Sequence, residues 1–321
     1  MINFCIDEVT ALRIVFMGTP EFALPSLQML VNEGYDIAAV VTQPDKPKGR
    51  GKKASMPPVK EYAINNNINV LQPEKVKTQE FVETMKELKP DLMVTCAYGK
   101  ILPKDILDIP PYGCINVHGS LLPKYRGAAP IQWAIINGEK TSGITTMFTD
   151  VGMDTGDMLL KAEIEIPDDM TAGQLHDRLA VLGADVLKDT LLEIKNGTLR
   201  CIPQKEEEAT YAPMLSKADG CIDWSKSSRE IHNLVRGTNP WPGAFTQYEG
   251  KMMKVWATSV FNEEKHDKKP GTIVKVERER IIVACGLGMV EVKEVQFESC
   301  KRLCIGDFIC GHRMDEGEIL G

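Results

Sequence analysis

The sequence predicts an α/β protein in which a domain with a mostly parallel sheet is followed by a small β-barrel domain. Residues 12–17 and 36–42 are short apolar runs, and the apolar positions of residues 21–32 between them recur at nearly helical spacing. A strand, a helix and a second strand in this order are typical of a parallel sheet. From residue 216 onward, five short β-like runs are separated by turns, which indicates a small barrel.

The other elements follow from periodicity and from residues that begin or end helices. Thr171 is a typical N-cap residue, and Asn196 with Gly197 should end that helix, because both residue types tolerate the left-handed backbone conformation. Residues 158–166 alternate partly, as an antiparallel strand at the outer edge of a sheet does. The further predicted elements are helices at residues 59–66, 78–88 and 131–135 and strands at residues 90–95, 114–118 and 143–148.

Length and composition favour a two-domain protein of the cytoplasm. The chain has 321 residues, and we predict a first domain at residues 1–197, a charged linker at 198–215 and a second domain at 216–321. No apolar run approaches the ~20 residues of a membrane span. The N-terminus carries Asp7 and Glu8 without a basic cluster, which argues against a targeting peptide. We therefore expect a cytoplasmic protein without membrane contact.

The cysteines fit reduced thiols better than a disulfide framework. There are nine, mostly single among apolar neighbours. Cys300, Cys304, Cys310 and His312 form one cluster, but their C-x3-C-x5-C-x-H spacing matches none of the usual zinc patterns. Packing or a plain surface position is the alternative for these four residues.

A polar pair interrupts the apolar strand at residues 114–118. Side chains alternate along a strand, so Asn116 and His118 lie on the same face. In open α/β sheets the carboxyl ends of the strands face the ligand crevice. An amide and an imidazolium can both donate to an oxygen that gains negative charge. The alternative is a structural histidine, which is the more frequent role of a single histidine near a strand end.

A second polar turn follows the next apolar run. Residues 150–157 read D-V-G-M-D-T-G-D after the apolar stretch at 143–148. A carboxylate from this turn could keep His118 protonated or hold a water molecule. The glycine fingerprint G-x-G-x-x-G is absent after the first strand, which counts against a dinucleotide-dependent oxidoreductase.

Residues 43–58 contain four prolines and several basic residues, so we predict a loop. The stretch 43–60 carries six basic residues against one acidic residue, a net charge of +5 in a chain whose net charge is −7. Such a loop is either a solvated surface segment or a selective contact for a polyanion. Its length is unusual for a connection in an α/β fold, which is typically ~2–6 residues.

The motif N-V-H-G-S-L-L-P from Asn116, followed by D-V-G-M-D-T-G-D from Asp150, resembles the folate-dependent formyltransferases. The resemblance runs from about Leu12 to the C-terminus. It implies a Rossmann-like catalytic domain and an OB-like C-terminal barrel. It also implies that Asn116, His118 and Asp154 act at the formyl group.

The resemblance further implies 10-formyltetrahydrofolate as the co-substrate, with no metal ion. Residues Ser120, Leu121, Leu122 and Pro123 should shape the folate wall through backbone contacts. Ile101 and Leu102 should pack on the pteridine ring, or else belong to the ordinary core.

The branch of the family that this chain resembles formylates initiator methionyl-tRNA. In that branch a basic insertion enters the acceptor stem, and Arg50 matches its wedge arginine, with Lys46, Lys48, Lys52 and Lys53 supplying further charge. We expect a monomer. Other acceptors of the formyl group stay open, namely a nucleotide amine, a sugar-nucleotide amine or water. A noncatalytic RNA-binding module is the rival from another class.

Overall fold

A computed structural model describes residues 12–48 and 53–321, which divide into two compact units. The first unit runs to Pro130 and resumes over Ser142–Ile164 and His176–Ala212. The second unit consists of Ile131–Thr141, Glu165–Leu175 and Pro213–Gly321. The change of unit after Ala212 lies inside the predicted linker at 198–215, whereas two short segments of the predicted first domain belong to the second unit.

A seven-stranded sheet forms the centre of the first unit, in the order β10-β9-β7-β6-β1-β2-β5. Strand β1 pairs in parallel with β2 and β6, β2 with β5, and β6 with β7, whereas β7 and β9 are antiparallel. The predicted mostly parallel sheet is therefore confirmed, with β10 at its edge. The strands of this unit are β1 (Arg13–Gly18), β2 (Asp36–Val41), β3 (Lys46–Lys48), β4 (Lys53–Ser55), β5 (Val70–Leu71), β6 (Leu92–Cys96), β7 (Cys114–His118), β8 (Arg126–Gly127), β9 (Thr141–Phe148), β10 (Met158–Glu165) and β11 (Tyr211–Ala212).

The inner strands are buried because they are almost continuously apolar. Every residue of β6 is buried, and Ile14, Val15 and Phe16 of β1 have no exposed surface. Strands that are covered on both faces need such unbroken apolar runs. The polar residues at the ends of β6 and β7 are therefore exceptions in an otherwise apolar set of strands.

The long helix at Ala172–Asn196 begins and ends where its capping residues predict. Thr171 Oγ1 accepts from Gln174 N at 3.3 Å, and Gly197, just after the long helix, has a φ of 66°. Both predicted signals are confirmed. The helices are α1 (Leu24–Asn32), α2 (Pro58–Asn65), α3 (Gln79–Leu88), α4 (Lys104–Leu107), α5 (Pro130–Ile136), α6 (Ala172–Asn196), α7 (Ser228–Gly237) and α8 (Ile305–Gly311), and short 3-10 turns lie at Glu21–Ala23, Glu206–Glu208 and Ala218–Gly220.

The prediction of a loop throughout residues 43–58 is wrong in part. Strands β3 and β4 pair antiparallel in this segment, and Lys46 lies opposite Ser55. A polar hairpin without an apolar face has no alternation from which it could be recognised in a sequence. At its base, Lys60 Nζ donates to both carboxylate oxygens of Asp45, at 2.9 and 2.8 Å. Hydrogen bonds from Gln72 and then from Lys60 lower the pKa of Asp45.

An antiparallel sheet dominates the second unit, with the strand order β12-β13-β16-β15-β14 and with β17 beside β16. The five predicted strands are confirmed. The ladders found in the described part of the chain end at β12 and β14, so closure into a barrel stays a prediction. The strands are β12 (Ala244–Tyr248), β13 (Lys251–Asn262), β14 (Ile273–Glu277), β15 (Arg280–Ala284), β16 (Met289–Phe297) and β17 (Leu303–Cys304).

Among the described residues, no helix is both long and apolar enough to cross a membrane. The described cysteines are free thiols, of which Cys96, Cys114 and Cys285 are buried. In the predicted cysteine–histidine cluster, the ring of His312 stacks on that of Phe308 with centroids 4.4 Å apart. Three or more possible metal ligands do not come together anywhere in the described ranges.

Candidate active site

Asn116 lies on β7 opposite Thr95 of β6. The Thr95 hydroxyl donates to Asn116 Oδ1 at 2.9 Å, and it also lies 3.3 Å from the Ile115 carbonyl oxygen. Since the amide oxygen of Asn116 accepts from Thr95, its NH₂ group points away from the Thr95 hydroxyl. Sequence reasoning missed Thr95, because only the register between two strands places it beside Asn116.

His118 ends β7 and is buried, with 5% of its surface exposed. Its Nε2 lies 3.0 Å from the carbonyl oxygen of Tyr125. A carbonyl oxygen can only accept, so Nε2 carries a proton and donates it there. The remaining nitrogen, Nδ1, lies 3.7 Å from Asp154 Oδ2. This separation is too long for a direct hydrogen bond but short for two charges.

Asp154 sits in the polar turn between β9 and β10 with a left-handed φ of 54°. Its Oδ2 accepts the backbone N–H of Gly127 at 2.8 Å, and 19% of its side chain is exposed. The fold therefore brings the predicted carboxylate to the predicted histidine, from segments separated by 36 positions, and Asn116 lies on the same strand face.

The predicted folate wall is held firmly by its own chain. Thr145 Oγ1 accepts from Leu122 N at 3.1 Å and donates to the Ser120 carbonyl at 2.7 Å. Lys161 Nζ donates to the Leu122 carbonyl, and burial lowers the pKa of this lysine. These backbone groups are occupied already, which limits the backbone contacts that the segment 120–123 can offer to a ligand.

The apolar residues of the predicted folate wall divide into core and surface. Leu122 packs with Met147 and Met158, and its side chain is 1% exposed. Leu102 belongs to a buried apolar cluster of the first unit and is 3% exposed. Both side chains serve packing. Ile101 is 64% exposed and can be covered by a ligand.

A segment of the predicted linker contacts the polar turn directly. Gln204 Nε2 donates to the carbonyl oxygens of Asp154 and Gly156, at 2.8 Å each. Gln204 Oε1 accepts from Arg126 Nε at 3.0 Å. Arg126 is 1% exposed and also donates to Glu206 at 2.8 Å, and this bond lowers the pKa of Glu206. The sequence offered no signal for these contacts beyond the charge of the linker.

Three of the five predicted tRNA contacts, Lys46, Lys48 and Lys53, lie on the hairpin of β3 and β4. Lys46 is exposed, and its Nζ donates to Gln43 Oε1 at 3.1 Å. Gln43 Nε2 donates in turn to the carbonyl oxygen of Tyr98 at 2.9 Å. Lys48 ends β3 and Lys53 begins β4. The remaining two predicted contacts, Arg50 and Lys52, lie outside the described residues.

Comparison with protein family models identifies the family of this chain. A model described as "Formyl transferase" matches residues 12–191, and one described as "Formyl transferase, C-terminal domain" matches residues 214–313. The chain belongs to the formyl transferase family. The predicted family resemblance is therefore confirmed over nearly the whole described chain.

Curated formyl transferases resemble this chain over their full length. A "Methionyl-tRNA formyltransferase" of Acetivibrio thermocellus is 71% identical over 97% of this chain and 100% of its own. One of Ruminiclostridium cellulolyticum is 62% identical with the same coverage.

Solved structures share the formyl transferase fold at lower identity. The sugar 3N-formyl transferase WlaRD has a TM-score of 0.67 at 20% identity and covers 91% of this chain and 100% of its own. HypX from Aquifex aeolicus, in complex with tetrahydrofolic acid, has a TM-score of 0.61 at 17% identity and covers 96% of this chain and 51% of its own. At these identities the likeness supports the fold.

Proposed function

We propose that this chain transfers the formyl group of 10-formyltetrahydrofolate to the α-amine of methionine esterified to initiator tRNA. The observation that carries the proposal is the 71% identity to a methionyl-tRNA formyltransferase over 97% of the chain. The grouping of Asn116, His118 and Asp154 supports it, because acyl transfer needs donors for an oxyanion and a route for a proton.

The reaction requires one proton transfer between two nitrogens. The free amine of the methionyl ester attacks the formyl carbon, and the carbonyl electron pair moves to oxygen, which gives a tetrahedral intermediate. The attacking nitrogen loses a proton and N10 of the folate gains one. The bond from carbon to N10 then breaks and the carbonyl re-forms on the methionine nitrogen.

Asn116 is proposed to stabilise the oxyanion with its NH₂ group, whose orientation Thr95 supports. His118 is proposed to act through Nδ1, since Nε2 already donates to Tyr125. At 3.7 Å, the Nδ1 proton of a charged ring is not committed to Asp154, so it can turn to the oxyanion. Attraction between unit charges at such a distance is worth roughly 4 kcal/mol at an effective dielectric constant of about 20.

Asp154 is proposed to carry the proton route. A water molecule that donates to Asp154 Oδ2 at roughly 2.8 Å would leave the Nδ1 proton of His118 for the oxyanion. Such a water can accept the proton of the attacking amine and return one to N10. The α-amine of an aminoacyl ester is less basic than a lysine amine, so this relay needs no strong base.

The folate is proposed to lie along residues 120–123, and the exposed Ile101 is proposed to pack on its pteridine ring. Leu102 and Leu122 support this wall from the core. The basic hairpin is proposed to contact the tRNA, with Arg50 at the acceptor stem. One chain supplies all these residues, so the acting species is proposed to be a monomer. Its substrates are those of translation in the cytoplasm.

The test is transfer of a radiolabelled formyl group to purified charged tRNAs. We expect label on initiator methionyl-tRNA and little on elongator methionyl-tRNA or on sugar-nucleotide amines. Label on a sugar nucleotide, or label released as formate without transfer, would refute the proposed acceptor. Binding of tRNA without any binding of folate in calorimetry, and without transfer, would favour the RNA-binding alternative.

A further inference from the structure

The backbone of Asp154 is held in an unfavourable conformation. Its φ of 54° lies in the left-handed region, which few residues with a side chain adopt, although Asp does so more often than most. Such a conformation persists only where surrounding contacts determine it. The contact at its carbonyl oxygen is a hydrogen bond of 2.8 Å from Gln204 Nε2.

The amide of Gln204 can be oriented in one way only. Its oxygen faces Arg126 Nε, which can only donate, and its nitrogen faces the carbonyl oxygens of Asp154 and Gly156, which can only accept. A flipped amide would lose all three hydrogen bonds. Gln204 therefore bridges a buried guanidinium and the two ends of the short segment from Asp154 to Gly156.

The same dipeptide that orients Gln204 also holds the carboxylate of Asp154. Arg126 donates to Gln204 through its side chain, and the next residue, Gly127, donates its backbone N–H to Asp154 Oδ2 at 2.8 Å. Gly127 has a φ of 116°, and a Cβ there would lie 2.8 Å from the carbonyl oxygen of Ala212. Asp154 is thus fixed at its carboxylate by the backbone of β8 and at its carbonyl by Gln204.

We propose that Gln204 is a positioning residue that sets the distance between the Asp154 carboxylate and His118 Nδ1. Gln204 does not contact the substrates and acts through the turn that carries Asp154. This inference deepens the proposed function and rests on it for its kinetic consequences. The positioning itself can be read from the state of His118 without any reaction.

The kinetic test compares Gln204→Met, which keeps the length and removes the polar atoms, with Glu207→Gln, an exposed position in the 3-10 turn Glu206–Glu208 that follows Gln204. We expect kcat for formylation of initiator methionyl-tRNA to fall roughly 10- to 100-fold in Gln204→Met, the size of effect that a small misplacement produces. The KM values for folate and tRNA should stay within about twofold, because neither substrate is bound by Gln204. Glu207→Gln should behave like the wild type.

Gln204→Asn guards against loss of folding in Gln204→Met. It keeps the amide but is one methylene shorter, so it cannot reach Arg126 and both carbonyls together. We expect the same direction of change in kcat. Normal kcat in both variants would overturn the proposal, as would a loss of kcat that simply follows a loss of folded protein in thermal unfolding.

The second readout is the ¹⁵N chemical shift of the His118 ring nitrogens, assigned by comparison with His118→Gln. In Gln204→Met the Nδ1 signal should move, as it should in Asp154→Asn, because the carboxylate no longer faces it. An unchanged Nδ1 signal would overturn the positioning role. If the wild type formylated no tRNA, the proposed function would fail, while a moved Nδ1 signal would still support the positioning by Gln204.

Discussion

The two ring nitrogens of His118 have different environments, and this difference shapes the proposed chemistry. The sequence motif suggested a protonated histidine that donates to the oxyanion, without saying which nitrogen does so. Nε2 donates to the Tyr125 carbonyl at 3.0 Å, so Nδ1 is the nitrogen that faces Asp154. The orientation of the ring and the proton on Nε2 are thereby set by a backbone group seven positions along the chain, as in many functional histidines.

Single residues of the site were predictable where a local pattern marked them. Asn116 and His118 stood out because two polar residues at same-face spacing interrupt an apolar strand. Asp154 stood out through its turn motif. Thr95 and Gln204 carry no such mark, because their roles come from strand register and from a contact across 50 positions. Hydrogen bonds of this kind depend on the assembled fold.

The Thr95 hydroxyl should matter for the orientation of the Asn116 amide. Thr95→Val keeps the shape and removes the donor, so we expect kcat for formyl transfer to fall about tenfold, the equivalent of one hydrogen bond of ~1–1.5 kcal/mol. Folate affinity, measured by calorimetry, should stay unchanged. Thr95→Ser should restore most of the rate.

Thr146→Val is the matched control for Thr95→Val. Thr146 is a buried threonine of β9, on the other side of β7, and its hydroxyl lies 2.8 Å from Thr190 Oγ1 and accepts from Leu160 N at 3.1 Å. Its loss removes buried hydrogen bonds without removing the partner of Asn116, so kcat should be kept. Equal rates for Thr95→Val and the wild type would remove Thr95 from the account.

At the scale of elements, the apolar strands and the capped helices were predictable, and the polar hairpin was not. Strands β1, β6 and β7 could be predicted because strands that are buried consist of nearly continuous apolar residues. Strands β3 and β4 contain lysines and a proline and follow no alternation. Hydrogen bonds at their base, such as those of Lys60 with Asp45, anchor the hairpin to α2 instead.

The hairpin also leads to a prediction about Arg50, which lies beyond the described ranges. A guanidinium can grip a phosphate with two donors and stack on an unpaired base, whereas lysines offer mobile point charges. Arg50→Ala should strongly reduce transfer to initiator methionyl-tRNA and leave folate binding unchanged. Arg50→Lys should rescue little, and Lys52→Ala should lower affinity mainly at low salt and weaken its dependence on salt.

Transfer rates of these three variants at two salt concentrations separate the proposed role from bulk charge. If the hairpin acted through charge alone, Arg50→Lys would match the wild type. Lys52→Ala would then lose as much activity as Arg50→Ala.

At the scale of the whole molecule, the order of the two domains was predictable, but the chain segments within each unit were not. A change in composition near residue 216 precedes the antiparallel sheet, whose first strand begins at Ala244, and lies close to Pro213, where the last segment of the second unit begins. Residues 131–141 and 165–175 belong to the second unit although their sequence reads as a continuation of the first domain. Packing of this kind leaves no trace in local periodicity.

Buried thiols in both units predict how stability depends on alkaline pH. Burial raises the pKa of Cys96, Cys114 and Cys285 from 9.0 to about 12. Above pH 9 the unfolded chain releases thiol protons that the folded chain keeps. The stabilisation that these protonated thiols contribute should therefore be complete below about pH 9. The free energy of unfolding should fall as the pH rises toward 12.

Denaturant unfolding at about pH 8 and about pH 10.5 measures this dependence. Cys114→Ala should show a weaker decline between the two pH values than the wild type. Cys300→Ala, at an exposed cysteine, is the control and should decline as the wild type does. A free energy of unfolding that is independent of pH in this window would contradict the prediction.

The central claim is that the groups at the end of β7 stabilise the transition state of formyl transfer to methionyl-tRNA. Asn116→Ala tests it most directly, because this side chain is half-buried and its removal spares the core. The measurement is the single-turnover rate of transfer from bound 10-formyltetrahydrofolate to bound initiator methionyl-tRNA, both at saturation. We predict a fall of roughly 10²–10³-fold, the loss of one oxyanion donor, with both dissociation constants nearly unchanged. A near-normal rate in Asn116→Ala would contradict the account.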